Sequence, residues 1–300
     1  MDAKNTRQTE FNGVINYSET SADRVLDKTD GFHLDTKVKE IERSLIDIYK
    51  LLPASGMSHN TIYRGYNLGD HVTESQKRAI SAGTFEDLYL GDYWEISGIR
   101  YLIAGFDYWY EKSDPGIWTH HVAIVPHKAI VKGKLHETRA SVAYTETDFY
   151  NGTNGNTYKA TIEAAIYSAF GADYILNKKE LFPTGMTDGY ESGLDWIDSK
   201  IDLLNIHMVL GSNFFVPTYV NLNGDSRWPY ISTIDATPLP LFTVAPTHIT
   251  FYGTDGTRGV WGLRNIINQS QLFVHYSGYP GEQYVDAETN FRVVFGLIGE

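Results

Sequence analysis

The apolar and polar positions divide the chain into three stretches. Residues 1–33 are polar, with Asn, Thr, Ser, Asp and Lys prominent. Such a stretch has too little apolar surface to offset its chain entropy alone, and it reads as an arm that orders along a partner. Leu34, Val38, Ile41, Leu45, Ile48 and Leu52 then recur at spacings of 4, 3, 4, 3 and 4. That is an a/d stripe, and it predicts a helix over 34–52 that Pro53 stops. Leu34, Ile41 and Ile48 take d, while Val38, Leu45 and Leu52 take a. Leu at a with Ile at d favours trimers or higher over dimers. A helix packed on its own domain would show the same stripe, so both readings stand.

From residue 53 the pattern is that of a globular region. Residues 53–66, with Pro53, Gly56 and Gly65, read as a linker. Thr73-Glu-Ser-Gln76 is a capping box and opens a short helix that ends near Gly83. Tyr93–Ile96 and Ile99–Phe106 flank the dipeptide Ser97-Gly98, which predicts a tight antiparallel hairpin. A third strand, His121–Val125, follows the Asp114-Pro115-Gly116 turn. Asn151–Asn156 reads as a loop before a helix at about 157–170, where Ile162, Ala165, Ile166, Ala169 and Phe170 share a face and Gly171 closes the end. Residues 194–210 fit strand or helix. Asn221–Pro229 reads as loop, 241–252 and 258–267 as strands or strand-loop segments, and Phe291–Phe295 as the last strand. The fold class expected is α+β, mainly antiparallel β with a few helices, in the order arm (1–33), amphipathic helix (34–52) and globular domain (53–300).

Charge and composition narrow the function. The chain has 25 Lys plus Arg against 37 Asp plus Glu, a net charge of −12. No window clusters Lys and Arg as phosphate-backbone binding requires, so nucleic acid is not an expected partner. Cys is absent, which removes disulfides, thiolate metal sites and cysteine nucleophiles together. The N-terminus lacks the apolar core of a secretory signal, and no apolar run is long enough for a membrane span. Aromatic residues make up 14% of the chain. Two stretches are dense in them, Tyr101–Tyr110 and His275–Tyr284, and both read as surface contact. The second, HYSGYPGEQY, mixes Tyr, Ser, Gly and Gln as contact loops do. His275, Tyr276, Tyr279, Gln283 and Tyr284 are therefore the candidate ligand or receptor contacts.

Motifs for catalysis are missing. There is no HExxH, GxSxG, Walker A or GxGxxG pattern. His120 and His121 would point to opposite faces of a strand, one towards the core and one towards solvent, and could not share an ion. Asn221–Asp225 reads as a turn rather than a calcium loop. Carboxylate pairs such as Glu111 with Asp114, Glu146 with Asp148 and Asp195 with Asp198 are expected by chance in so acidic a chain. No enzyme, metal or cofactor is expected.

Asn67-Leu-Gly-Asp70, Gly83-Thr-Phe-Glu-Asp-Leu-Tyr-Leu-Gly-Asp-Tyr-Trp94, Ile103-Ala-Gly-Phe-Asp-Tyr108 and His121-Val-Ala-Ile-Val-Pro126 together resemble a family of tailed-bacteriophage virion structural proteins. Thr161–Phe170, Trp196–Ser199 with Leu204-Asn205, Tyr230–Asp235 with Leu239–Phe242, and Trp261-Gly-Leu-Arg264 are weaker matches. The C-terminal part, from about residue 190, resembles a C-type-lectin-like, sulfatase-modifying-factor-like domain. In that domain a W-x-L-R segment precedes a variable loop and a last strand of the type GVRPAF, where Arg292 and Phe295 match and the Gly-Val and Pro positions do not. The resemblance implies a virion component assembled in a bacterial host's cytoplasm, at the capsid surface or in the tail or baseplate. It implies self-association, other virion proteins as partners, and an outward lectin-like domain that contacts a host-surface glycan or protein. A decoration or tail subunit with no ligand, and a glycan-degrading tail enzyme, are the alternatives. Formylglycine-generating chemistry is not implied, because it needs cysteines.

Overall fold

In a computed structural model, the described residues are 9–11, 14–16, 26–27, 37–44, 56–137, 153–187, 190–211, 237–267 and 270–300. The chain forms two compact units, Met1–Ala54 and Ser55–Glu300.

The first unit departs from a featureless polar arm. Strands β1 (Thr9–Phe11), β2 (Val14–Asn16) and β3 (Leu26–Asp27) form an antiparallel sheet in that order, with Glu10 opposite Ile15 and Val14 opposite Asp27. Phe11, Val14, Ile15 and Leu26 are the apolar residues of these three strands. Asn12-Gly13, a strong hairpin dipeptide in sequence, separates the first two strands. Average composition hid that signal. Within the expected helix, residues 37–44 are helical (α1). Its two described stripe positions, Val38 and Ile41, are 44% and 60% exposed. Leu34, Leu45, Ile48 and Leu52 lie outside the described residues, as does any test of the full heptad stripe.

The second unit begins with short helix α2 (Gly56–His59) and α3 (Glu74–Ser81). The capping box forms as the sequence predicts: Gln76 N–H donates to Thr73 Oγ1 at 3.3 Å and Thr73 N–H to Gln76 Oε1 at 2.9 Å. Strands β4 (Tyr93–Ile96) and β5 (Ile99–Phe106) form the predicted hairpin. Ser97 and Gly98 sit at φ 51° and 73°, the left-handed pair that a two-residue turn of matching twist requires. Strand β6 (His121–Pro126) pairs with β5 and is buried along its whole length. Burial on both faces makes it read as one apolar run rather than an alternating one.

The remaining elements are β7 (Lys132–Lys134), α4 (Thr153–Phe170), β8 (Lys178–Thr187), β9 (Tyr190–Ser199), β10 (Ile201–Leu203), α5 (Ile206–Leu210), α6 (Pro240–Val244), β11 (Trp261–Ile267), β12 (Ser270–Val274), β13 (Pro280–Tyr284), β14 (Glu288–Phe291) and β15 (Val293–Ile298). One five-stranded sheet runs β10-β15-β6-β5-β4, and a second runs β13-β12-β11-β14-β7. Strands β8 and β9 form a separate hairpin. Only β11 and β14 pair in parallel among the named strands. The fold is α+β with mostly antiparallel sheets and few helices. Because β15 pairs with β6, residues 190–300 share their core with the segment before them.

Alternation along the first sheet feeds two cores. Tyr101, Ile103, Ile124, Phe295 and Leu297 face α4, whose Ile162, Ile166 and Phe170 form one stripe. Phe170 meets Tyr101 edge-on at 5.0 Å and Phe295 at 5.5 Å. Leu102, Ala104, Val125 and Val294 face the other way, towards Leu241, Phe251, Trp261 and Leu263.

Several expectations need correction. Residues 241–252 are not strand: α6 and a 3-10 turn at Pro246–Ile249 occupy most of them. Each opens on a proline, whose fixed φ suits a first helical turn. Residues 194–210 are strand and then helix, the helix starting at the side-chain cap Asn205. Helix α4 starts at Thr153, inside the expected loop. The final strand is split at Arg292 between β14 and β15. Tyr101–Tyr110 is not a contact surface, since Tyr101, Phe106, Tyr108 and Trp109 are core residues.

A closed charge network ties the β8–β9 hairpin to both sheets. Glu180 accepts from Trp109 Nε1 at 2.7 Å, pairs with Lys178 at 3.1 Å and also receives Arg264. Arg264 reaches Asp202 at 3.0 Å, and Ser199 Oγ donates to the same carboxylate at 3.1 Å. All five polar side chains are buried. Glu180 is held far below the carboxylate range: burial opposes ionisation, but Lys178 and Arg264 outweigh it. Asp202 is raised, to about 6, chiefly by burial. Substituting Arg264→Ala leaves two buried carboxylates sharing one cation, so stability should fall by about 3–5 kcal/mol in urea denaturation.

His121 supplies a pH dependence. Its Nε2 accepts from Trp109 N–H at 2.9 Å, so its Nδ1 carries the proton and donates to Thr119 C=O at 2.8 Å. A second proton would face the Trp109 N–H, and burial pulls the pKa down to about 4. The unfolded chain takes that proton near pH 6.5 and the folded chain does not. The His121 contribution is therefore full above pH 6.5 and lost as pH falls towards 4, at up to about 1.4 kcal/mol per pH unit. Burial lowers His127 and His248 too, and they act with the same sign, whereas Asp202 acts against them below about pH 6. Urea midpoints between pH 7.5 and 4.5 should drop for the native protein and drop less for His121→Gln.

Candidate functional site

The predicted contact segment is a turn joined to an edge strand. His275 C=O accepts from Gly278 N–H at 2.8 Å, and His275 N–H donates to Tyr279 C=O at 2.9 Å. Gly278 supplies the φ of 89° that this reversal needs. The His275 ring lies against Tyr276 at 3.7 Å and stacks on Tyr279 at 4.4 Å. Tyr276, Tyr279 and Tyr284 are 51%, 54% and 48% exposed. Gln283 and Tyr284 belong to β13, not to a loop, and adjacent strand residues point to opposite faces. Gln283 lies opposite the buried Gln271, and its Nε2 is buried without a hydrogen-bond partner. The structure therefore keeps the tyrosines outside with His275 beneath two of them, and turns Gln283 away from Tyr284.

A second feature was not foreseen. A cleft of about 410 Å³ is lined by Tyr63, Tyr93 and Tyr252, by Arg100, Arg258 and Arg292, by His127 and His248, and by Thr247 and Thr250, with no Asp or Glu among its lining residues. Tyr63 is placed by two glycines: a Cβ on Gly91 would lie 2.1 Å from its ring, and one on Gly65 would lie 2.8 Å from its hydroxyl. The Tyr63 hydroxyl and His248 Nε2 are 2.9 Å apart. His127 Nδ1 accepts the Arg100 N–H at 2.9 Å. Arg100 also pairs with Glu95 at 3.1 Å and lies over the Tyr93 ring.

Arg292 is different in kind. It is 1% exposed and sits 4.8–5.0 Å from the centres of the Phe242, Phe251 and Trp261 rings. One long bond of 3.4 Å runs from its Nη1 to Ile249 C=O, which also accepts Trp261 Nε1 at 3.2 Å. Its Nε is buried without a partner, and no ion pair reaches it among the described residues. Burial pulls its pKa down to about 9, which leaves it charged at neutral pH. Its field in turn helps to lower His248, after burial. The cleft residues come from seven separate stretches of chain between residues 63 and 292, so no local spacing marks them. The one sequence signal is Arg292 itself, the residue matched in the last-strand pattern.

The other candidates do not converge. His121 is core, as expected for one of the pair. His120 is half-buried, bound to Asp107 Oδ2 at 2.8 Å and stacked on Tyr110. Glu111 and Asp114 are exposed in the loop between β5 and β6, and Asp195 and Asp198 take opposite faces of β9. Glu146, Asp148 and Asn221–Asp225 lie outside the described residues. Among the described residues no three His, Asp or Glu side chains group as metal ligands would, and no helix is long and apolar enough to cross a membrane.

The segments that carry the phage resemblance fall on scaffold positions. Phe85, Leu88, Leu90, Asp92 and Trp94 are all buried. Asp92 receives Arg64 through its Nε at 3.1 Å and its Nη2 at 2.7 Å, and the N–H groups of Tyr66 and Tyr89 at 2.8 and 2.9 Å. No family model, no curated protein and no solved structure matches this chain.

Proposed function

We propose that this chain is a structural protein of a tailed-phage virion, whose second unit has a C-type-lectin-like arrangement and presents Tyr276, Tyr279 and Tyr284 to the host surface. The carrying observation is the exposure of Tyr276 and Tyr279 on a turn that its own hydrogen bonds fix, and of Tyr284 on the strand that follows it. Rigid, amphipathic rings on a fixed turn give contact area at low entropic cost. The phage assignment rests on the motif resemblance across residues 67–126. The lectin-like assignment draws support from Trp261-Gly-Leu-Arg264 as β11 of the second sheet, and from a last strand paired within the first. Exposed Val38 and Ile41 on α1 supply an apolar stripe for other copies or other virion proteins. Repeated copies would turn weak contacts into avidity. A glycan-degrading role is less favoured, because the cleft lining offers no pair of carboxylates.

Particles carrying Tyr276→Ala, Tyr279→Ala and Tyr284→Ala together should assemble normally and adsorb about tenfold or more weakly, as expected for truncating aromatic hot spots. Normal adsorption by well-formed mutant particles would leave the protein a decoration or tail subunit with no ligand at this turn. Light scattering should find the full chain trimeric or larger, and Val38→Glu with Ile41→Glu monomeric. A full chain that is already a monomer would remove α1 as a self-assembling element.

A further inference from the structure

We propose that the cleft around Arg292 binds an acidic sugar, a saccharide ring that carries a carboxylate or a phosphate group. This site is separate from the tyrosine turn, although a Cβ on Gly278 of that turn would lie 3.9 Å from Ile249, whose carbonyl Arg292 touches.

Charge is the first ground. The chain as a whole is strongly acidic, yet the cleft gathers three arginines and no carboxylate. Arg100 is offset by Glu95. Arg258 is exposed at the rim, and neither it nor Arg292 is ion-paired among the described residues.

The second ground is the unpaired guanidinium itself. The rings of Phe242, Phe251 and Trp261 attract the cation but leave its Nε without a partner and its Nη1 with one long bond of 3.4 Å. A buried charge without a counter-ion is costly unless something completes it. A carboxylate or phosphate matches the fork in two parallel hydrogen bonds.

The rest of the lining selects a sugar over a bare anion. The rings of Tyr63, Tyr93 and Tyr252 provide apolar walls. Thr247, Thr250, His127 and His248 provide neutral donors and acceptors for hydroxyls. Burial lowers both histidines, which keeps them neutral and able to accept as well as donate. The volume of about 410 Å³ falls in the range of small-ligand sites.

The test is calorimetric titration of the full chain with glucuronate, glucose 1-phosphate, inorganic phosphate and neutral glucose. Either acidic sugar should bind with a Kd of about 1 mM or tighter. Glucose and inorganic phosphate should each bind about tenfold or more weakly, since each lacks half of the recognised groups. The preferred acidic sugar identifies carboxylate or phosphate as the natural group. Arg258→Gln, a change at an exposed residue, should weaken binding about fivefold and leave the urea midpoint unchanged. Arg292→Lys keeps the charge without the fork and should weaken it further. The proposal is overturned if neither acidic sugar binds, if glucose or phosphate alone binds as tightly, or if a folded Arg258→Gln protein binds normally. These readouts use purified protein and small ligands, so they stand or fall apart from any role in adsorption.

Discussion

The second unit turns on one crossing. Strand β14 ends at Phe291 in one sheet and β15 begins at Val293 in the other, so Arg292 alone spans the change. Its side chain fills the space among Phe242, Phe251 and Trp261. Its carbonyl accepts from Leu204 N–H at 3.3 Å, and the Leu204 carbonyl accepts from Arg264 N–H at 2.8 Å. That short ladder joins the end of β10 to β11 and so sets the two sheets against each other. The aromatic cage and the backbone ladder fix the crossing from both sides, and the cleft is the space left where they meet.

Among the described residues, the Glu180–Asp202 network and Arg292 are two buried charge systems, and the contrast between them separates scaffold from site. Lys178 and Arg264 face Glu180 and Asp202, two cations against two anions, with Ser199 and Trp109 using further lone pairs. The charges of this set balance within the chain, and the set ties the β8–β9 hairpin to β10 and β11. Arg292 has rings around it but no anion. A low-dielectric interior strengthens a satisfied pair and penalises an unsatisfied charge by the same physics. Placing a buried guanidinium with no anion beside a cleft is what makes that cleft, rather than the charge network, the place where a ligand would gain most.

What the sequence made legible was local. The Thr73–Gln76 capping box, the Ser97-Gly98 turn, the Ile162–Phe170 helix face and the His121 strand each depend on residues within a few positions of one another. Segments that failed depended on partners far along the chain. Tyr101, Phe106 and Tyr108 look like a contact surface in sequence because nothing nearby shows that α4 and residue 237 cover them; Tyr108 donates to Thr237 C=O. Gln283 looks like a companion of Tyr284 until strand pairing sends adjacent residues to opposite faces. The cleft was invisible because its charge comes from residues 100, 258 and 292, which only the two-sheet packing brings together. The resembling motif was legible as a motif but not as to role: Gly83–Trp94 proves to be packing and capping around Asp92, so its specificity belongs to the scaffold.

The net charge of −12 and the arginine-lined cleft are reconciled by range. At physiological salt the field of the whole chain is screened beyond about 8 Å. An anion on a flat face would feel the summed carboxylates as strongly as any one arginine. Inside a cleft with low-dielectric walls, the nearest guanidinium dominates, and solvent ions screen it little. A long polyanion would extend beyond the cleft over a chain whose net charge repels it. A single acidic group on a compact ring avoids that repulsion. An acidic chain with an arginine-lined cleft is thus consistent with the compact acidic ligand proposed above.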